Sequence, residues 1–478
     1  MFILVPCKIS LCGMNGVEIK RFTRQASSIF TCTLFIVLFY LESYAQFPGV
    51  STPTAPRPAT MQPNVIIQGA QPNQPNVYQP PTYVYETSVH EQNARLMQEQ
   101  QQHQRQMQIN QQQVQEAIEA FEPRHANREA VCRFGARLPY FSSDPAAQHF
   151  RYALNEIRKM LTGESPLSLR DATFLVENAY FENSLSYADY VNYINEAVTL
   201  CKAKIYQLGL DLNDQMVKNM MLFHFMTDTF KLKLPEGRTL IHYPMEYDKD
   251  DPGGEEDITK QFVTKLMATN SGQCSTLPRL FVILAEAMGA ETYLSHVNIH
   301  SFVKIKDNDG YWYNLELTSG VILQDQHHLL HNHMKAEALR NRIYLEPWTL
   351  KQSVGDALTE LASAYIRKYG VDGFMVDCFT TILQHDPSNI RGHLLRHNYH
   401  NAYAAFLIEN AGITSKEEIE DCPAVDRAYQ AAMKYRNELN DMGYEPFPPE
   451  LYQVWFDQIS KEKFTGNQLK LKYIINNQ

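Results

Sequence analysis

The stretch Ser271-Gly272-Gln273-Cys274-Ser275-Thr276-Leu277-Pro278 leads into an apolar run, Phe281 to Met288, closed by Gly289. It is followed by His300-Ser301-Phe302-Val303 and then by Trp312-Tyr313-Asn314-Leu315-Glu316-Leu317-Thr318. The apolar run predicts a helix that starts near Cys274, because Pro278 lies close to the first turn, where a missing N–H costs little, and glycine ends it. Glu291 to Val297, Ile299 to Lys306 and Tyr311 to Leu317 read as short strands, the last two joined by the hairpin signal Asp307-Asn308-Asp309-Gly310. A helix followed by antiparallel strands places this part of the chain in the α+β class.

The order of these elements bears on the chemistry of Cys274. Gly272 permits a sharp entry to the helix, and the uncompensated N–H groups of a first turn put partial positive charge beside the sulfur, which favours thiolate. A thiolate nucleophile needs a proton carrier, and the strand beginning at His300 supplies an imidazole on one face. On the neighbouring strand Trp312, Asn314 and Glu316 share a face by the two-residue period, so either Asn314 or Glu316 can orient that imidazole. A cysteine taken singly reads as a small buried hydrophobe; the set of Cys, His and acid or amide in chain order gives the functional reading.

These residues resemble the core of the transglutaminase-like superfamily, where Gly-x-Cys at a helix start is followed by His-Ala-Trp on one strand and Trp-x-x-x-Asp-x-Thr on the next. The likeness is tight over about 50 residues and looser over about 110, from the Met216 helix onward. It implies a papain-like transglutaminase core of helices packed on a small antiparallel sheet, with Cys274 as nucleophile, His300 as base and Glu316 in the place of the aspartate. Two positions depart from the pattern: Glu316 lengthens the orienting arm, and Phe302 stands where the family has tryptophan. The resemblance implies acyl transfer. The Cys274 thiolate attacks a carboxamide or peptide carbonyl, a backbone N–H such as that of Cys274 stabilises the oxyanion, and His300 protonates the leaving amine. The thioester then passes to an amine or to water. The expected substrate is a protein or peptide, with no cofactor and no metal; a catalytically inactive fold that binds proteins is the alternative.

Neighbouring residues compete for roles. His296, one strand repeat before His300, is the second choice as base, and Gln273 reads as a solvent-facing side chain or as an added oxyanion donor. His327, His328, His331 and His333 could present two imidazoles to a metal, but only Asp325 stands near them, so a polar loop or helix surface is the better reading. His393, His397 and His400 read as a half-exposed packing face.

Upstream the chain is helical. Asp144-Pro145 reads as a cap and first-turn proline for a helix carrying Phe150, Leu154, Ile157 and Leu161, stopped by Gly163. Leu169 to Phe181, Tyr187 to Leu208 and Met216 to Phe230 follow, the last so apolar that it belongs in a core. Thr239 to Tyr243 is strand-like, Asp248 to Asp257 reads as a solvated acidic loop without calcium-site spacing, and Thr259 to Thr269 as a helix. Downstream, Leu358, Leu361, Ala364 and Tyr365 share one helix, and Phe379, Ile382 and Leu383 lie on a second, ending at Asp386-Pro387-Ser388-Asn389. A third runs from Ile390 toward Ile408, with Ala424 to Leu439 and Pro449 to Ile459 beyond. The proline-closed helix resembles that of a tetratricopeptide repeat, which implies an all-α helical-repeat module offering a protein partner a groove.

The ends are of a different kind. Lys20, Arg21 and Arg24 precede an apolar core, Ile29 to Leu41, with Ser43-Tyr44-Ala45 after it: a secretory signal pattern with cleavage expected before Gln46, the core being too short for a stable membrane span. Nine prolines between residues 46 and 81 predict a semi-stiff spacer, and Glu91 to Gln115 a Gln-rich polar helix or disordered tether. The expected division is therefore 1–45 leader, 46–115 linker, 116–345 core with its preceding helices, and 346–478 helical repeats.

The 478 residues carry 43 Lys+Arg against 53 Asp+Glu, a net charge of −10 that argues against a nucleic-acid partner. Of eight cysteines, loss of the leader would remove Cys7, Cys12 and Cys32; Cys132, Cys201, Cys378 and Cys422 could form two disulfides, leaving Cys274 free.

Overall fold

The computed structural model describes residues 65–68, 128–139, 144–332 and 334–448, with Leu451 and Val454 beyond them. The expected leader and Gln-rich segment lie outside these residues, as does the helix expected from Pro449 except at those two positions.

The described chain is mostly helical, with small sheets between helices. It opens with β1 (Val65–Gln68), α1 (Arg128–Phe134), α2 (Ala147–Thr162), α3 (Leu169–Tyr180), α4 (Tyr187–Gln207) and α5 (Gln215–Thr227). Then come β2 (Phe230–Lys233), β3 (Thr239–His242), β4 (Glu246–Tyr247), α6 (Val263–Thr269), β5 (Ser271–Gly272) and α7 (Thr276–Met288). The strands β6 (Tyr293–Val297), β7 (His300–Lys306), β8 (Trp312–Glu316) and β9 (Val321–Leu323) precede α8 (Asp325–His331) and α9 (Ala336–Arg340). The last helices are α10 (Leu350–Tyr369), α11 (Gly373–His385), α12 (Ile390–Asn410), α13 (Glu417–Glu420) and α14 (Pro423–Met442).

Chain contacts group into two compact units. Among the described residues, the smaller holds 128–137 and 400–433, and the larger holds the rest. In the larger unit Ser168, Ser186 and Asp214 cap α3, α4 and α5, each accepting a first-turn N–H. Phe150, Leu154, Ile157 and Leu161 form the buried stripe of α2, which Gly163 ends at φ 84°. Asp144 accepts the Ala146 N–H but the regular helix begins only at Ala147, later than the Asp-Pro pair suggested. At its C-terminal end α5 stops at Thr227, so that Phe230 opens β2 instead of closing the helix.

α7 is buried nearly all round, from Thr276 to Ala285, as a helix apolar on every face must be. It packs against α4, α5, α6, β6 and β7, and its Leu280, Phe281 and Leu284 join Phe225, Val303, Ile305 and Leu315 in the main core. The sheet beside it runs β6-β7-β8-β9, antiparallel throughout. β9 was not expected. A second sheet has the order β1-β3-β2, so four residues of the proline-rich spacer add an edge strand. The helix expected over Thr259 to Thr269 divides into a 3-10 turn, Ile258–Gln261, and α6. α10 packs on α2, α3 and α11, beginning with a capping box between Thr349 and Gln352.

The smaller unit buries Val131, Ala404, Leu407, Ile419, Val425 and Ala428 and contains the disulfide Cys132–Cys422. The second bridge that the cysteine count allowed is not formed: Cys201 and Cys378 are free and buried, each in a helix interior, and burial pushes both thiols up.

Candidate active site

Cys274 stands in the turn between β5 and α7, and its position is set by packing around Gly272. Gly272 is needed there for close approach and not for a special φ: a Cβ on it would lie 2.6 Å from Thr276 Oγ1 and 3.1 Å from Leu266 Cδ1. β5 pairs in parallel with β4 through Gly272 and Tyr247. Thr276 Oγ1 accepts the Gln273 N–H at 2.7 Å, and the Leu277 N–H reaches the Gln273 carbonyl at 3.1 Å, winding the first turn of α7.

Gln273 is neither solvent-facing nor directed at the thiol. It is fully buried, and its amide donates to the carbonyls of Asp248 and Asp251 at 3.2 and 2.9 Å. The acidic loop is correspondingly built. The buried Asp251 carboxylate accepts the N–H groups of Glu255, Glu256 and Asp257. Asp248 pairs with Lys260 and Lys265, and Lys265 also binds the Ser271 carbonyl at 2.9 Å. Its carboxylates therefore organise backbone and anchor lysines, where a solvated surface loop was expected.

His300 opens β7 and Glu316 closes β8, both nearly excluded from solvent. Nε2 of His300 lies 2.6 Å from Oε2 of Glu316. Cys274 lies close enough to His300 for its sulfur to favour the protonated ring, and with Nε2 engaged by Glu316, Nδ1 is the nitrogen left for the sulfur. Cys274 is part-buried, its Sγ 3.8 Å from the Ile299 carbonyl in the tight turn before His300. The three expected residues are thus brought together in the order thiol, imidazole, carboxylate.

The electrostatics follow from that order. Burial works against a charged imidazole at His300, but the Glu316 carboxylate and the Cys274 sulfur outweigh it and hold its proton affinity above the ordinary histidine value. Burial likewise works against ionised Glu316, and His300 with His328 overcomes it, holding the carboxyl below its usual range.

The other candidates lie elsewhere. Asn314 is buried on the same strand but donates to Asp325 at 2.9 Å, so Glu316 and not Asn314 meets His300. His296 is packed against Tyr344 and Trp348, and burial with the nearby Arg391 pushes it down to about 3. Phe302 is buried with its ring 4.2 Å from that of His328. The His327 and His331 rings lie 4.5 Å apart, tilted at 35°, with His331 Nδ1 on the His327 carbonyl. The described residues hold no group of three or more His, Cys, Asp or Glu side chains placed for a metal. None of their helices is long and apolar enough to cross a membrane.

Two features were not anticipated. His328, expected on a polar surface, is buried with Nε2 3.2 Å from Glu316 Oε1. Its neighbours Leu329 and Leu330 are exposed, so hydropathy points the wrong way; only the i,i+4 pairing of His328 with Asn332 hints at an inward face. The second is an ion cluster. Arg279 of α7 and Arg391 of α12 share Asp356 and Glu360 of α10, Arg391 at 2.5 and 2.7 Å. Arg391 is close enough to Cys274 for their charges to interact. No residue spacing in one helix could reveal a cluster assembled from three.

The chain matches no protein-family model, no curated protein and no solved structure.

Proposed function

We propose that this protein is a transglutaminase-like cysteine enzyme that cleaves or transfers acyl groups at amide bonds of a protein or peptide through a thioester on Cys274. The observation that supports this reading is the buried series Cys274, His300 and Glu316, with His300 Nε2 held at 2.6 Å by the carboxylate. It also rests on the Gly272-Gln273-Cys274 turn leading into a long buried helix beside antiparallel strands.

In this reading the Cys274 thiolate, paired with the protonated His300 ring, attacks the carbonyl carbon, and Glu316 stabilises the imidazolium. The Cys274 backbone N–H stands at the oxyanion; the Gln273 amide is committed to the acidic loop and does not take part. Collapse of the tetrahedral adduct breaks the C–N bond, and His300 gives its proton to the departing amine. An incoming water or amine then loses a proton to His300 as it attacks the thioester, and the thiolate beside protonated His300 is re-formed. On the same proposal, residues 1–45 direct export, and α10 to α12 form a tetratricopeptide-like series available to a protein partner.

The test is labelling of the full chain with a thiol-directed acyl electrophile, read by peptide mass spectrometry, alongside Cys274→Ala. Cys274 is expected to react far faster than an exposed model thiol, and Cys274→Ala to abolish amidase or crosslinking activity. Reaction at the model rate, with activity untouched by Cys274→Ala, overturns the enzyme reading in favour of a binding scaffold.

A further inference from the structure

The acyl-transfer steps leave one imidazole at the site unused. Glu316 offers two oxygens: Oε2 is on His300, and Oε1 faces His328 Nε2 at 3.2 Å. At that distance His328 Nε2 is the polar group set against Oε1. Its ring is wedged on Phe302, with centroids 4.2 Å apart and planes 19° from parallel.

Asn332, one turn along, fixes the proton on that ring. Its amide nitrogen lies 3.2 Å from the His328 carbonyl and 3.3 Å from Nδ1. A carbonyl can only accept, so the nitrogen end of the amide is the end that points there. Nδ1 then accepts as well, and the proton of neutral His328 sits on Nε2, toward the carboxylate.

The helix carrying His328 is anchored by a separate, part-buried network. Asp325, its first residue, accepts from Lys304 at 2.6 Å and from Asn314 at 2.9 Å, and Lys304 also binds the Leu345 carbonyl at 2.8 Å. β7 and β8 therefore hold α8 by its first turn, and His328 follows one turn later on the inward face.

A glutamate has one more rotatable bond than an aspartate, and that freedom must be restrained if one oxygen is to stay on His300. We propose that His328 is a positioning residue for the site: by occupying Oε1 it keeps Oε2 on His300 Nε2 and thereby keeps Nδ1 directed at Cys274. The inference rests on Cys274 being the nucleophile.

The test compares His328→Leu, His328→Asn and His328→Gln in the full chain, measuring iodoacetamide alkylation of Cys274 across pH by peptide mass spectrometry, with thermal unfolding recorded in parallel. A glutamine amide nitrogen can reach the place of Nε2, whereas that of asparagine stops near Nδ1. Loss of a donor to a charged group predicts alkylation at neutral pH about tenfold slower in the Leu and Asn variants, and within about threefold of the parent in Gln. If His328→Leu fails to fold, the Asn and Gln pair still decides. Equal rates in Asn and Gln, with Cys274 reactive in the parent, overturn the positioning role alone. A parent Cys274 no more reactive than a model thiol overturns the functional reading beneath it.

Discussion

His300 Nε2 and Glu316 Oε2 meet at 2.6 Å in a place closed to water on nearly every side. A carboxylate and an imidazole buried together can each stay charged only through the other, so the pair behaves as one titrating unit.

Glu316→Gln keeps the shape and removes the charge. Burial then acts on His300 with only the Cys274 sulfur against it, and its ring, protonated through neutral pH in the parent, is expected to lose the proton at a lower pH than in the parent. Ring proton chemical shifts followed against pH would show this, and Cys274 alkylation is expected to fall about tenfold or more. The linkage has a definite sign. His300 binds its proton more tightly folded than unfolded, so the stability it adds is complete below about pH 6.5 and fades as pH rises through the folded value. Glu316→Gln removes that alkaline fade.

Gly272→Ala tests how the nucleophile is mounted. The added methyl falls 2.6 Å from Thr276 Oγ1, and displacing that hydroxyl breaks its bond to the Gln273 N–H. A loss of about 1–3 kcal/mol in unfolding free energy is expected, measured by urea titration, with Cys274 alkylation slowed in the fraction that folds.

His242 is buried in β3, stacked on Phe225 at 4.0 Å, and burial pushes it down to about 4 from the usual 6.5. The unfolded chain takes up this proton first, so stability is lost as pH falls from about 6.5 to about 4, by about 3 kcal/mol from this group. His242→Phe keeps the ring contact and is expected to lose less stability between pH 7 and pH 4.5 than the parent. Equal losses would show that the acid sensitivity arises elsewhere.

Thiol counting separates the cysteines. Native protein is expected to expose Cys274 to a thiol reagent while Cys201 and Cys378 react only after denaturation, and Cys132 and Cys422 only after reduction. Peptide mapping after stepwise labelling gives the order, and native labelling of Cys201 or Cys378 would contradict their burial.

Much of the core was legible in the sequence because its signals are local. The Asp307 to Gly310 turn and the glycines after α2 and α7 each state their structure within a few residues. Glu316 could be narrowed only to a shared face with Asn314, because the choice between them depends on where Asp325 stands, and that is set by Lys304 on another strand. His328 was invisible because two leucines beside it face outward while the imidazole turns in to meet a charge. Gln273 was misread for a similar reason: the carbonyls it satisfies come from a loop more than twenty residues earlier. Val65–Gln68 escaped notice because prolines dominate its surroundings, while its pairing with β3 is made across a long sequence gap.

The bridge between Cys132 and Cys422 spans 290 positions of sequence. It makes a covalent ring of most of the chain, with residues 138–399 lying in sequence between the two segments of the smaller unit. A protease that cuts any loop inside the ring opens it without releasing a fragment, so a nicked molecule keeps Cys274, His300 and Glu316 on one covalent body until the bridge is reduced.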